Sequence, residues 1–354
     1  MGTNLVLDAV RQIGPALASR SIEIEEARGL PLDVVELIKT TGAFRMYVPE
    51  DMDGPGVTAW QSLEVIEELA YHDGASGWCS MIGSTTSLTA SMLPDRFANQ
   101  IFGDDGAVAG GFAMPSGRAT PVDGGLRVSG RWQWGSGTRH CTWIAGGCLL
   151  VGEDGTPQAR SDGLMAPFVF FQPDDVEFID NWDVSGLSGT GSGDYQVTDV
   201  FVPEGRWVQL GDDATVRHNS MSRFSFFGLL ACGVASCAMG IARRAVDELV
   251  ELAGTKKPQG SSKSLGRRPQ VQADVAIAEA KLASAWAFVE ASITDSWVTA
   301  ESGSAPTVEQ KRRLRLSATH ATQTAAEVAE LMYKAGGGAS VYTSCPLQRT
   351  FRDA

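Results

Sequence analysis

The chain has 354 residues, 43 % apolar and 20 % charged, which is the composition of a folded protein with a sizeable core and room for two or three domains. A net charge of −13 argues against nucleic acid as a partner and against binding to anionic membrane surfaces, both of which require a basic face. The six cysteines (Cys79, Cys141, Cys148, Cys232, Cys237, Cys345) and four histidines (His72, His140, His218, His320) fall at no metal-ligand spacing, and no CxxC occurs. No metal site is expected, and the cysteines read as small buried hydrophobes in a reducing compartment.

The opening MGTNLVLDAV lacks the regions of a signal peptide, and Val6 breaks the myristoylation pattern that Met1-Gly2 would begin. A soluble, cytoplasmic protein is expected. The first region, to about residue 105, reads as helical. Pro31 suits a helix start, Leu32, Val35 and Ile38 recur at three-residue spacing, and Gly42 ends the run. Residues 58–71, TAWQSLEVIEELAY, put Trp60, Leu63, Ile66 and Ala70 on one helix face. The segment ASGWCSMIGSTTSLTASML (75–93) is apolar and small-polar without charge, the pattern of a helix buried all round or lining a cavity.

From about 106 to 210 the pattern becomes β-like, with Leu126, Val128, Trp132 and Trp134 as strand formers and an alternating DYQVTDVFVPE at 194–204. Glycine pairs at 110–111, 124–125 and 146–147 are expected at turns of a small barrel or sandwich. From 211 to 354 the chain returns to helix, with three segments of about thirty residues at 224–254, 270–302 and 306–335 that predict a long-helix bundle. The apolar stretch at 224–241 approaches membrane-spanning length, but its Gly, Ser and Cys content and its run into Arg243 and Arg244 favour a buried core helix. The fold class expected is therefore α+β, mainly α, in three domains: 1–105, 106–210 and 211–354. The last is expected to lack the final segment that such a bundle normally has.

Several motifs carry chemistry. GLSGTGSGD (186–194) has the glycines of a dinucleotide fingerprint but leads into a strand rather than a helix, so a tight turn is expected instead. The loop KKPQGSSKSLGRR (256–268) holds five basic residues and no acid in an acidic protein, which suits either a solvated loop or a phosphate site. His140, beside Trp143, is either a general base or, more commonly for such a residue, a packed core histidine. No G-x-S-x-G elbow supports a catalytic serine triad. In RWQWGSGTRHCTW (131–143), three indoles beside Gly-Ser-Gly suggest that something flat is held against the chain, since indole supplies stacking area and glycine admits close backbone approach.

Five stretches in order resemble the acyl-CoA dehydrogenase superfamily: TTGAFRMYVPEDMDGPG (40–56), ELAYHDGASGW (68–78), VDGGLRVSGRWQWGSGTRHCTW (122–143), NWDVSGLSGTGSGDYQVTDVFVPEGR (181–206) and CPLQRTFRDA (345–354). The GRWxWxSGxxHxxW run and CPLQR are similar to its two-component, flavin-dependent monooxygenase branch. That resemblance implies a component using reduced FMN, supplied by a separate flavin reductase, and O2 through a C4a-hydroperoxyflavin to hydroxylate or N-oxidise a small aromatic, polyketide or amino sugar. FAD is the alternative cofactor. An acyl-CoA dehydrogenase-like flavoprotein and a non-catalytic scaffold are the alternative functions. The dehydrogenase base is a glutamate either beyond residue 354 or early in the first bundle helix, where RFSFFGLL (223–230) offers no carboxylate.

By the same resemblance Trp134 packs on the flavin and Ser136 is the hydroxyl, and catalytic, residue beside it. Phe112, Ala113, Met114 and Pro115 form the strand whose backbone meets the ring, and Ser264 and Arg268 hold its phosphate, across a subunit boundary in a homotetramer. Trp78, Thr86, Phe226 and Phe227 are expected at the substrate, with Ser84 and Thr85 along the same cavity. The functional histidine that many members carry after the Arg-Asp signature would fall beyond residue 354.

Overall fold

A computed structural model describes residues 3–152, 154–160, 163–210 and 215–354. Met1 and Gly2, and residues 211–214 where the last domain is expected to begin, lie outside the described residues. Six helices come first: α1 Leu5–Ser19, α2 Ser21–Ala27, α3 Leu32–Lys39, α4 Ala59–His72, α5 Gly74–Ser87 and α6 Asp95–Phe102. Pro31 caps α3, and Thr58 with Gln61 closes a capping box on α4, whose Leu63, Ile66 and Ala70 are buried as their spacing predicts. Asp73 caps α5 by accepting from the Ser76 amide at 2.7 Å.

Nine strands follow among the described residues: β1 Ala109–Val122, β2 Gly125–Trp132, β3 Trp143–Leu150, β4 Ala159–Arg160, β5 Gly163–Leu164, β6 Pro167–Phe171, β7 Glu177–Ile179, β8 Asp194–Pro203 and β9 Trp207–Gln209. Seven make one sheet in the order β7-β8-β2-β1-β3-β6-β9, in which only β1 and β3 run parallel. Of the three glycine pairs, only Gly124-Gly125 lies at a turn. Gly110-Gly111 sits inside β1 and Gly146-Gly147 inside β3. Their reason is crowding: a Cβ on Gly146 would enter the Trp132 indole, and one on Gly147 would meet the Ala113 carbonyl. Trp132 is fully buried, stacks on Tyr195 at 5.3 Å and donates from Nε1 to the Gly147 carbonyl at 2.7 Å. Part of the glycine near the indoles therefore serves the core.

After the short α7 (Ser220–Arg223) come α8 Phe226–Thr255, α9 Pro269–Glu301 and α10 Val308–Gly336, within two residues of the expected spans, and finally α11 Pro346–Asp353. α8 is long and apolar enough to cross a membrane by length and composition, yet 67 % of its most apolar window is buried inside the protein. It is the central core helix, packed against α4, α5, α9, α10 and α11. All six cysteines are free and five are buried.

Candidate functional site

β2 ends at Trp132, and the next turn breaks the strand period. Trp134 does not continue β2: it takes φ +56°, a left-handed conformation unusual for tryptophan, and turns 57 % of its surface outward. Its ring meets Phe112 edge-on, with centroids 5.6 Å apart. The segment 134–138 is tied to residues 190–193 by amide bonds from Gly135 to the Gly193 carbonyl (3.0 Å) and from Gly137 to the Thr190 carbonyl (2.9 Å). Gly137 turns at φ +69°, where a side chain would be strained.

Within this lacing Ser136 is nearly buried, at 5 % exposure, and its Oγ accepts from Trp78 Nε1 at 3.0 Å. The same oxygen lies 2.7 Å from Ser192 Oγ, which in turn lies 2.6 Å from Thr190 Oγ1. The loop that resembled a dinucleotide fingerprint is a tight 3-10 turn, Ser188–Thr190, between left-handed Leu187 and Gly191, and leads into β8.

An apolar cavity of about 500 Å³ opens between α5, the sheet and the start of α8. α5 contributes Trp78, Met81, Ile82, Thr85 and Thr86, an i, i+3, i+4, i+7, i+8 stripe. β1 contributes Phe112, Ala113, Met114 and Pro115, where its pairing with β3 slips: four residues between Phe112 and Gly117 stand opposite one. α8 contributes Phe226, Phe227, Leu230 and Val234. At the rim, Met114 is 60 % and Phe227 50 % exposed. No charged side chain lines the cavity among the described residues.

The structure thus brings Trp78, Thr86, Phe112, Ala113, Met114, Phe226 and Phe227 to one chamber. Trp134 and Ser136 stand one side chain behind its wall, through Phe112 and Trp78. Ser84 does not face it: it is fully buried with its hydroxyl donated to the Met81 carbonyl, since its neighbours Thr85 and Thr86 take the cavity side of the helix. Ser264 and Arg268 are not at the chamber, because they follow the far end of α8, about 45 Å from its start at 1.5 Å per residue. Met81, Ile82, Gln209, Leu210, Leu230 and Val234 are lining residues that sequence reasoning missed; the period of the 75–93 segment pointed to the first two. Ser192 and Thr190 were also missed, hidden in the discounted glycine-rich run.

His140 packs beside Phe44, with ring centroids 5.7 Å apart, and burial pushes its imidazole down to about 4, with Lys39 acting in the same direction. It is neutral at physiological pH and outside the chamber. Among the described residues no three His, Cys, Asp or Glu side chains group as metal ligands.

A flavin fits what is here. The exposed indole of Trp134, held at a strained φ and meeting Phe112 edge-on, offers a flat wall, and the unladdered β1 bulge brings backbone beside it. The chain's relatives agree. The acyl-CoA dehydrogenase N-terminal domain matches residues 4–100 and the acyl-CoA dehydrogenase C-terminal domain matches residues 232–354. Indole-3-acetate monooxygenase of Pseudomonas putida is 32 % identical over 352 residues, covering 99 % of this chain and 86 % of that protein. The crystal structure of 3-HSA hydroxylase from Rhodococcus sp. RHA1 superposes with TM-score 0.90 at 24 % identity, over 99 % of this chain and 90 % of that one. XiaF from Streptomyces sp., in complex with FADH2 and glycerol, gives TM-score 0.90 at 23 % identity, over 98 % and 88 %. The chain belongs to the acyl-CoA dehydrogenase family. Within it, this is a flavin-dependent monooxygenase of the oxygenase-component type, which draws reduced flavin from a separate reductase.

Proposed function

We propose that this oxygenase uses reduced FMN and O2 to hydroxylate a small, neutral aromatic substrate in the 500 Å³ chamber. The observation that carries it is that no charged side chain lines the chamber among the described residues. A carboxylate or phosphate moved there would lose its hydration with no cationic side chain among the described lining residues to replace it, whereas an aromatic ring gains by burial against Phe226, Phe227, Ile82 and Leu230. Gln209, Thr85 and Thr86 are the polar lining groups able to orient a hydroxyl or ring N–H. The reduced flavin, when bound, supplies the two electrons that activate oxygen. The chain's own part is to stack the ring on Trp134, to set Ser136 against its edge, and to keep bulk water from the apolar chamber.

We place the flavin phosphate on Ser264 and Arg268 of a neighbouring copy in a homotetramer. The loop is too far along α8 to serve its own chamber, and it ends at a helix N-terminus, with Arg268 capping α9. The segments 1–105, 106–210 and 211–354 act as the helical, flavin-wall and bundle domains of a soluble cytoplasmic protein. An acyl-CoA is disfavoured as substrate because no carboxylate in the described lining can remove an α-proton.

The test is turnover with a flavin reductase, NADH and 18O2, offering indole and phenol as substrates. Incorporation of one labelled oxygen atom into product is expected. Bleaching of bound flavin by an acyl-CoA, with no labelled product from either ring, would overturn the reading.

A further inference from the structure

The hydroxyls of Ser136, Ser192 and Thr190 form a chain whose two ends are chemically fixed. At one end Trp78 Nε1, a donor only, is 3.0 Å from Ser136 Oγ. At the other, Thr190 Oγ1 is 2.8 Å from the Leu187 carbonyl, an acceptor only. Between them lie the 2.7 Å and 2.6 Å hydroxyl contacts. Four contacts therefore share four protons, one from the indole and three from the hydroxyls. One assignment fills all four: Trp78 donates to Ser136, Ser136 to Ser192, Ser192 to Thr190, and Thr190 to Leu187. Reversing the hydroxyls would leave two oxygens 2.8 Å apart with no proton between them, which is costly in a buried site. The acceptor end is itself fastened. Leu187 is held at φ +51°, and its amide donates to Asp353 Oδ1 at 2.7 Å.

Ser136 has then spent its only proton inward and keeps one lone pair for whatever lies against it. Two-electron reduction of a flavin puts hydrogen on a central-ring nitrogen that is bare in the oxidised ring. A lone pair meets that N–H with a hydrogen bond, and meets the bare nitrogen with repulsion. We propose that Ser192 and Thr190 are positioning residues that hold Ser136 as an acceptor, and thereby make the site select reduced over oxidised flavin. The proposal rests on the flavin site of the preceding section. It gives the chain a means to capture the reduced cofactor from solution and to release it once oxidised.

The experiment measures, anaerobically and by quenching of tryptophan fluorescence, the Kd of the full-length protein for FMNH2 and for FMN. Thr190→Val and Ser192→Ala each remove a link and free the Ser136 proton to turn toward the flavin. The ratio Kd(FMN)/Kd(FMNH2) is expected to fall about tenfold in both, the loss of one oriented hydrogen bond and its replacement by the opposite one. Thr190→Ser, which retains the hydroxyl, restores the wild-type ratio. A loop merely loosened by substitution weakens both redox states together. An unchanged ratio with both affinities reduced would therefore overturn the proposal while leaving the flavin site standing. Wild-type protein that binds neither form would remove the flavin site and the proposal together.

Discussion

Asp353 shows how much a single carboxyl controls. It closes the Arg-Asp pair near the end of the chain, and α11 places it against the amide of Leu187 rather than in solvent. Burial raises its pKa to about 6, the Leu187 N–H opposes that rise, and the neighbouring Asp73, itself raised by burial, adds to it. In the unfolded chain the same group titrates near 3.9. Between those values the folded state binds the extra proton, so the contribution of Asp353 to stability is largest below about pH 4 and falls as pH rises through 6. Asp353→Asn keeps an oxygen that accepts from Leu187 and removes the titration. Relative to wild type it is expected to gain stability as pH rises from 4 to 7, levelling at something on the order of 3 kcal/mol. Urea unfolding of both proteins across that range measures it. A stability difference that stays constant from pH 4 to 7 would show that Asp353 does not titrate over that range in the folded protein.

At the scale of elements, what could be read beforehand followed from period, and what could not followed from packing between distant segments. The long helical segments read at 224–254, 270–302 and 306–335 marked α8, α9 and α10 nearly to their ends, and the chargeless run at 75–93 announced a helix with an unusual face. Glycines misled because their reason lies across the sheet. Gly147 is small because Ala113 bulges toward it from β1, and Gly186 because the Arg352 backbone of α11 presses on it. Neither contact is visible in a local window. That Trp134 is a candidate flavin wall follows only from the resemblance, since period would have kept it in β2. The α5 stripe carries a direct prediction. Ile82 stands at its middle, and Ile82→Trp would project an indole into the 500 Å³ chamber. Because Trp134 and Ser136 lie behind the wall, binding of reduced flavin should change less than about threefold, while KM for the aromatic substrate rises at least about tenfold. Equal losses in flavin affinity and in KM would mean that flavin and substrate do not occupy separate parts of the site.

For the molecule as a whole, the length of α8 decides how the site is assembled. Its first turns, from Phe226 to Val234, line the chamber, and the basic loop begins only after Thr255. The roughly 21 residues from Val234 to Thr255, at 1.5 Å each, separate them by about 32 Å, more than a flavin mononucleotide spans. Of the loop's basic residues, Lys256 is already engaged with the Gly336 carbonyl, while Arg267 and Arg268 are exposed. In a protein of net charge −13 an exposed basic pair in one loop is best matched to an anion, and antiparallel packing of two copies would bring the end of one α8 to the start of another. Arg268→Ala tests this with two ligands that share a ring and differ in a phosphate. Reduced FMN should bind about tenfold or more weakly, the range for losing one charge-assisted hydrogen bond, whereas reduced riboflavin should be unaffected. If the loop acts on a neighbour's flavin, dilution that dissociates the wild-type oligomer should abolish the FMN advantage over riboflavin in parallel with the loss of mass seen by sedimentation. An advantage that persists in the monomer would put the phosphate on residues of the same chain, and Arg268 would then be a solvated cap on α9.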